Sequence, residues 1–248
     1  MVPDQFKLPP NKASLPATLL FLPGTLCDAR LWQAQQRELS VAWSSTIIDY
    51  RMEETIAAMA ETALATVSGP VVPIGLSMGG MVALEIWRQA SSRVAAIALF
   101  DTNPGADTPE RRAIREAQLI AAKQGGLGEL IKTQLVPTYF SPANATNDKL
   151  RATVIDMALG HGAAAFAAQA NALATRTDSW QLLQTINVPT LVACGVDDLI
   201  CPEEHQRRIA QLLPTGSFHT IRGAGHFAPL EQPAATTSLL RNWLRQLH

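Results

Sequence analysis

Charged residues and aromatic side chains are both scarce in this chain of 248 residues, at 17% and 6% of the composition. The formal net charge of −1 excludes the chain-wide basic field that binds nucleic acid or an anionic membrane surface. No apolar run reaches the roughly 18 residues that a membrane span needs. Hydrophobic residues, in contrast, make up 47% of the chain, which predicts a globular protein with a large core and favours an enzyme over a polyanion binder.

Cysteine is scarce as well, with only three residues, Cys27, Cys194 and Cys201. Their spacing fits neither a zinc site nor a redox pair. The first ten residues lack a positive segment followed by an apolar run, so no secretory signal is predicted. Reduced thiols and a cytoplasmic location are therefore expected. Cys27 and Cys201 fall in loops near the active site predicted below, which suggests them as points of oxidative or covalent inactivation.

Short apolar and β-branched runs alternate with helix-length amphipathic segments. The runs are continuous, which is typical of strands buried on both faces. This alternation predicts an α/β fold with a mostly parallel β-sheet flanked by helices. The predicted strands are Thr18–Leu22, Thr46–Asp49, Val71–Gly75, Ala95–Phe100, Thr190–Cys194 and Phe218–Ile221, and the predicted helices are Ala29–Leu39, Glu54–Val67, Met78–Ala90, Glu203–Leu213 and Ala234–Leu247.

One interval, residues 102–188, has helical patterns and no convincing strand. Since a structureless loop of that length is implausible in a compact domain, a helical insertion is predicted. The catalytic core would then comprise residues 1–101 and 189–248. The insertion leaves the sheet at the carboxyl end of a strand, where ligands of α/β folds bind, which favours a cap over the active site. The alternative is a helical decoration that only enlarges the core.

The segment Gly75-Leu76-Ser77-Met78-Gly79 has the pattern G-x-S-x-G. A buried strand precedes it and a helix follows it, which is the context of a nucleophile on a tight strand-to-helix turn. The flanking glycines lack the Cβ atoms that would collide in such a turn. Ser77 is therefore the predicted nucleophile. The alternative is a glycine-rich turn in which the serine only caps the helix.

Acyl transfer from such a serine requires two hydrogen-bond donors aimed at the developing oxyanion. The backbone N–H of Met78, which follows the nucleophile, is one predicted donor. The second is expected in the loop Leu22–Asp28 after the first strand, from the N–H of Thr25 or Leu26. Gly24 permits the sharp turn that this loop requires.

A serine hydroxyl is a weak nucleophile and needs a general base, for which histidine is the usual side chain. Of the five histidines, His226 lies in a glycine-containing loop between the last strand and the last helix. It is also late enough in the chain for the order Ser, Asp, His. Of the remaining four, His161 lies in the insertion, His205 in a predicted helix and His219 in a predicted strand, and His248 is the last residue.

The histidine in turn requires a carboxylate to fix its tautomer. Asp197 and Asp198 both follow the strand Thr190–Cys194, and either could orient His226. Asp101 is a rival because it ends another strand. Spacing leaves Asp198 only slightly ahead of the other two.

These residues resemble the α/β-hydrolase superfamily over nearly the whole chain. Four segments match in order: the oxyanion loop Leu22-Pro-Gly-Thr-Leu, the elbow Gly75–Gly79, the acid loop Gly195–Pro202 and the histidine loop Gly225–Pro233. The resemblance selects Asp198 over Asp197. It implies an eight-stranded sheet with a helical cap after the sixth strand, no cofactor and no metal. Pro23-Gly24 departs from the frequent His-Gly of the family, and the chain before Thr18 is short for two further strands.

The resemblance thus implies a serine hydrolase with the triad Ser77, His226 and Asp198. Its expected partner is a small-molecule carboxylic ester with small to medium acyl or alkyl groups, cleaved through an acyl-enzyme. Alternatives are enol-lactone or carbon–carbon bond hydrolysis, acyl transfer, cofactor-free perhydrolysis, and a small-molecule receptor of the same fold. The expected pocket walls are Leu26, Tyr139, Phe140, Phe166 and Trp180.

Overall fold

A computed structural model of the protein describes residues 17–50 and 52–247. Within them, six parallel strands form one sheet in the order β2-β1-β3-β4-β5-β6. The α/β class, with a parallel sheet flanked by helices, is therefore confirmed. The strands are β1 (Thr18–Leu22), β2 (Ser45–Ile47), β3 (Val71–Leu76), β4 (Ile97–Phe100), β5 (Thr190–Gly195) and β6 (Gly216–Ile221).

Helices cover both faces of this sheet. Five of them correspond to the five helices predicted by range, with ends that differ by at most four residues, and are α1, α2, α3, α7 and α9 in the list that follows. The helices are α1 (Gln33–Leu39), α2 (Ile56–Ala65), α3 (Met78–Ala90), α4 (Pro109–Ala121), α5 (Leu127–Leu130), α6 (Asp148–Ala174), α7 (Glu203–Leu212), α8 (Ala228–Glu231) and α9 (Pro233–Arg245).

The alternation of side chains along the strands divides the core into two layers. In β1, Leu19 and Phe21 pack into one apolar cluster with side chains of α1 and α9. Leu20 and Leu22 point the other way and pack with α2, α3 and α7. Every residue of β3 is buried, as expected for a central strand covered on both sides.

Two features implied by the family resemblance differ from the structure. The described residues form six strands rather than eight, and the helical insertion follows the fourth of them rather than the sixth. Strands before Thr18 would fall on residues 1–16, which lie outside the described residues. The first ten residues, for which no secretory signal is predicted, lie outside them as well. Among the helices that the structure describes, none combines the length and apolar character required to cross a membrane.

All regular secondary structure between β4 and β5 is helical. The longest helix of this segment, α6, is interrupted at Gly162, where φ is 77° and ψ is 176°. Gln169, on the second half of α6, accepts a hydrogen bond from the N–H of Leu26 at 2.8 Å and donates one to the carbonyl of Tyr50 at 3.2 Å. These two bonds attach α6 to loops at the carboxyl end of the sheet.

The strand order places a crevice at that edge. From β1 the chain moves to β2 on one side and then returns to β3 on the other. At such a switch point the loops after neighbouring strands diverge, and ligands of α/β proteins bind between them. The loops that meet here are the one after β1, which contains Thr25, and the turn after β3, which contains Ser77.

Candidate active site

Ser77 lies in the tight turn between β3 and α3. Its backbone has φ 55° and ψ −114°, a strained conformation for a residue with a side chain. The Ser77 N–H donates to the carbonyl of Phe100 at 2.9 Å, which ties the turn to β4. A Cβ atom at Gly75 would overlap the carbonyl of Gly79, and one at Gly79 would overlap that of Leu22. Both glycines of the motif are therefore required sterically.

Thr102 supports the same turn from the end of β4. Its hydroxyl donates to the carbonyl of Ser77 at 2.7 Å, and a Cβ atom at Gly80 would lie 2.5 Å from the Cβ of Thr102. Neither contact was predicted from the sequence. Gly80, which extends the small-residue patch after the motif, marked the position where a second element could approach closely.

His226 is held against Asp198. The Nδ1 of His226 lies 2.9 Å from Oδ2 of Asp198, and the two side chains are 4% and 0% exposed. The N–H of His226 donates to the carbonyl of Tyr139 at 2.7 Å, which fixes the backbone of the histidine loop. With Nδ1 engaged by the carboxylate, Nε2 is the ring nitrogen left to accept a proton.

The other oxygen of Asp198 is also engaged. Its Oδ1 accepts the N–H groups of Ile200 at 2.7 Å and Cys201 at 3.1 Å. Burial raises the pKa of Asp198, but the charge of His226 and these hydrogen bonds outweigh burial and lower the pKa below its usual value. Asp198 is thus an ionised carboxylate, as a group that stabilises an imidazolium must be.

Asp101, the rival acid, is placed differently. It follows β4 with φ 47°, and its Oδ1 accepts the N–H of Gly195 at 2.9 Å, which links the ends of β4 and β5. Its carboxyl group also lies within hydrogen-bonding reach of the carboxyl group of Asp198. Burial, followed by the charge of Asp198, raises the pKa of Asp101 well above its usual value. Asp101 therefore keeps its proton to higher pH than Asp198 does, and it has no hydrogen bond to His226 among the described residues.

Glu231 connects the histidine loop to the helical insertion. One carboxylate oxygen accepts the N–H of Gly225 at 2.7 Å, directly before His226. The other accepts the N–H of Ser141 at 2.8 Å and the side-chain amide of Asn144 at 3.1 Å. The sequence carried one signal of this role, a carboxylate after the apolar run that follows His226.

The two residues predicted to donate to the oxyanion, Thr25 and Met78, are in side-chain contact. Thr25 Oγ1 is 3.8 Å from Sδ of Met78, and a Cβ atom at Gly24 would lie 3.6 Å from the Cβ of Ser77. The backbone N–H groups of Thr25 and Met78 have no partner among the hydrogen bonds of the described residues. The N–H of Leu26, the alternative donor, is occupied by Gln169, so the geometry favours Thr25.

A cavity of about 450 Å³ brings Ser77, His226 and Thr25 together. Of the five residues predicted as pocket walls, Tyr139 and Phe166 line it. The other three do not line it, since an apolar side chain in a loop or helix fits the core equally well. Leu26 and Phe140 are buried in the core, and the ring of Trp180 packs 5.1 Å from that of His205.

His226 is the only histidine of the described part of the chain that lines this cavity. His161 faces the carbonyl of Met157 within α6, at 3.0 Å from its Nδ1. His205 lies on α7 against Trp180, and His219 lies within β6. The choice of His226 among the candidates is thus consistent with where the side chains lie.

Asp198, Cys201 and His226 present ligand atoms that lie within 4.8 Å of one another. Metal binding would require the Cys201 thiolate, yet burial raises the pKa of that thiol well above its usual value. The carboxylate and the imidazole already bind each other. The donor set therefore fits a hydrogen-bonded acid–base pair better than a metal centre.

Burial also raises the pKa of Cys27. Because the thiolate is the reactive form, the raised pKa values disfavour both Cys27 and Cys201 as reactive groups.

A model of the alpha/beta hydrolase family matches residues 19–239 of the chain. Because the match covers most of the sequence, the protein belongs to the alpha/beta hydrolase family. The resemblance stated from the four sequence segments is thereby confirmed.

Solved structures of the same fold extend this comparison. A thermophilic esterase from Thermogutta terrifontis, in a malate-bound form, is 30% identical with a TM-score of 0.86, over 94% of this chain and 90% of the esterase. The enol-lactonase from Burkholderia xenovorans LB400 is 20% identical with a TM-score of 0.81, over 94% and 92% of the two chains. At 20% identity, the similarity to the enol-lactonase shows a shared fold only.

Curated relatives match over a shorter range. The 2-succinyl-6-hydroxy-2,4-cyclohexadiene-1-carboxylate synthase of Klebsiella pneumoniae is 29% identical over 170 residues, which cover 67% of this chain and 65% of that enzyme. A Serratia proteamaculans protein named as a carbamate hydrolase is 25% identical over 176 residues, which cover 69% and 64%. The chain thus spans slightly less than two thirds of the length of these relatives.

Proposed function

We propose that the protein is a serine hydrolase that cleaves carboxylic esters through an acyl-enzyme. The observation that carries the proposal is the buried His226–Asp198 pair, joined at 2.9 Å, whose histidine lines the same cavity as a serine on a strained strand-to-helix turn. The relatedness to a 30% identical thermophilic esterase supports ester substrates over other acyl chemistry.

In the proposed first step, Ser77 Oγ attacks the ester carbonyl carbon and His226 Nε2 accepts the hydroxyl proton. The charge that forms on the imidazole is stabilised by the ionised Asp198. The carbonyl oxygen becomes an oxyanion and accepts the unpartnered N–H groups of Thr25 and Met78. Collapse of this intermediate breaks the ester C–O bond, and His226 gives its proton to the departing alcohol.

In the second step, water takes the place of the alcohol. His226 removes a proton from the water as it attacks the acyl carbon, and the same two N–H groups stabilise the second oxyanion. Collapse releases the carboxylic acid and returns the proton to Ser77. The buried position of His226, 3% exposed, and its backbone bond to Tyr139 hold the imidazole in one orientation through both steps.

We further propose that residues 102–188 act as a cap that selects the substrate. Tyr139 and Phe166, both from this segment, line the cavity with Ser77. The carbonyl of Tyr139 and the N–H of Ser141 attach the segment directly to the histidine loop and to Glu231. A cavity of about 450 Å³ fits small to medium acyl and alkyl groups rather than long acyl chains.

The proposal is tested with p-nitrophenyl esters of graded acyl length and a Ser77→Ala variant. We expect the greatest kcat/KM for short to medium acyl groups and a loss of about 10⁴-fold or more in kcat for Ser77→Ala. Ser91→Ala is the matched control, since Ser91 is exposed at the other end of α3. Activity of Ser77→Ala equal to that of the parent would disprove the mechanism. Hydrolysis of a β-diketone together with no hydrolysis of any of the esters would point to carbon–carbon bond hydrolysis instead.

A further inference from the structure

One face of α4 forms part of the cavity wall that the proposed chemistry leaves unexplained. Arg111, Ile114, Arg115 and Gln118 all line the cavity with Ser77 and His226. Their spacing of three, four and seven residues places them on one side of the helix. None of the residues of α4 is buried, so this face serves the cavity and not the core.

Among the described residues that line the cavity, the permanently charged side chains are Arg111 and Arg115, and no carboxylate lines it. The acidic groups nearby face elsewhere. Asp198 is turned to His226 and its own loop, Asp101 is fully buried behind it, and Glu231 binds the histidine loop. The side of the cavity formed by α4 is therefore cationic.

The two arginines are held differently. Arg115 Nε lies 2.6 Å from Oδ2 of Asp107, and Arg176 Nη1 lies 2.5 Å from Oδ1 of the same carboxylate. Two guanidinium groups thus share one carboxylate, which leaves this group of three with a net positive charge. Arg111 has no hydrogen bond or ion pair from its guanidinium to any residue that the structure describes, and it remains a free planar donor.

The remaining lining is largely apolar. Leu135, Phe166 and Leu173 line the same cavity, and Ile114 and Leu199 are 58% and 75% exposed. Exposed apolar side chains of this size beside the unpaired guanidinium of Arg111 are what a substrate with an apolar part and an anionic end would cover. A guanidinium matches a carboxylate by two parallel hydrogen bonds.

We infer that the enzyme acts on anionic substrates, namely esters that carry a carboxylate on the acyl or alkyl part, and that Arg111 binds this carboxylate with support from Arg115. This inference rests on the proposed ester hydrolysis at Ser77 and names its substrate class. The ester carbonyl lies at Ser77 while the carboxylate lies against α4, and the apolar linker contacts the walls between them.

The test compares p-nitrophenyl hydrogen glutarate with p-nitrophenyl methyl glutarate, which have the same acyl chain and differ in the terminal charge. The measured quantity is the ratio of kcat/KM for the charged ester over the neutral ester. A charge-assisted pair predicts a ratio of about 10 or more for the parent enzyme. Arg111→Gln should lower this ratio about tenfold, and Arg111→Lys should lower it less. High salt should lower the parent ratio as well.

Arg112→Gln is the matched control, because Arg112 is the next residue on α4, is exposed and does not line the cavity. It should leave the ratio unchanged. A parent ratio of one or below, or an unchanged ratio in Arg111→Gln, would overturn the substrate assignment even while both esters are hydrolysed. Absence of Ser77-dependent hydrolysis of either ester would instead overturn the proposed function itself.

Discussion

Asp101 and Asp198 are two buried carboxyl groups at neighbouring strand ends, and their surroundings shift their pKa values in opposite directions. Asp198 accepts hydrogen bonds from His226 and from two backbone N–H groups, which lower its pKa. Asp101 has one such bond, to Gly195, and lies beside the Asp198 charge, so its pKa is raised. Ionisation of both neighbouring carboxyl groups is unfavourable because their charges repel, and the hydrogen bonds determine which group keeps the proton.

This assignment predicts the pH dependence of stability in Asp101→Asn. An aspartate in the unfolded chain titrates near pH 3.9, whereas the folded protein holds the proton of Asp101 to higher pH. Above about pH 4 the folded state therefore binds more protons at this position, and the parent loses stability as pH rises toward the folded pKa. The substituted amide does not titrate, so the free energy of unfolding of Asp101→Asn relative to the parent should increase with pH, by up to about 1.4 kcal/mol per pH unit.

Urea unfolding at several pH values measures this difference. A difference that is flat or falls as pH rises would mean that Asp101 is ionised in the folded protein. Asp101→Ala serves as the comparison, since it removes the acceptor of the Gly195 N–H. That variant should lose about 1–3 kcal/mol, because a buried donor is left unpaired.

At the scale of elements, the site depends on close approach between β1, β3 and α3. Gly79 begins the first turn of α3 directly beneath the carbonyl of Leu22, and Gly75 faces the carbonyl of Gly79 in turn. The strained Ser77 persists because these contacts leave the turn no alternative path. The glycines are thus needed for the approach of two backbones, rather than for flexibility.

Gly79→Ala should consequently be strongly destabilising, by about 3 kcal/mol or more, because its Cβ would overlap the backbone of Leu22 and cannot move away. Gly160→Ala is the matched control. Gly160 lies within α6, and a Cβ atom there meets no other atom within 4 Å. Since alanine is the better helix former, this variant should gain up to about 1 kcal/mol. Thermal or urea unfolding compares the two. Equal effects would contradict the steric account of the turn.

For the molecule as a whole, the sequence predicted the features that depend on local pattern. Buried runs such as Val71–Leu76 and the glycines around Ser77 have only one good structural interpretation, so the sheet and the strand-to-helix turn were found. The number of strands came from the family resemblance rather than from these residues, and the described part of the chain contains six of them.

Features that depend on long-range packing were not predictable in the same way. The choice of Asp198 over Asp101 required the distance to His226, because both acids follow a strand. Phe140 and Trp180 are apolar residues of a helical insertion, and nothing in their spacing separates a pocket wall from the core. The role of Arg111 depends on how α4 is rotated toward the cavity, which its sequence alone does not specify.

The central claim is that Ser77 is an activated nucleophile served by His226. The most direct measurement is labelling with a fluorophosphonate probe, followed by peptide mass spectrometry of the modified residue. The account predicts one adduct, on Ser77, that is absent in Ser77→Ala. In His226→Ala, the rate of its formation should fall by at least about 100-fold. An adduct on another residue, or labelling of Ser77→Ala at the rate of the parent, would contradict it.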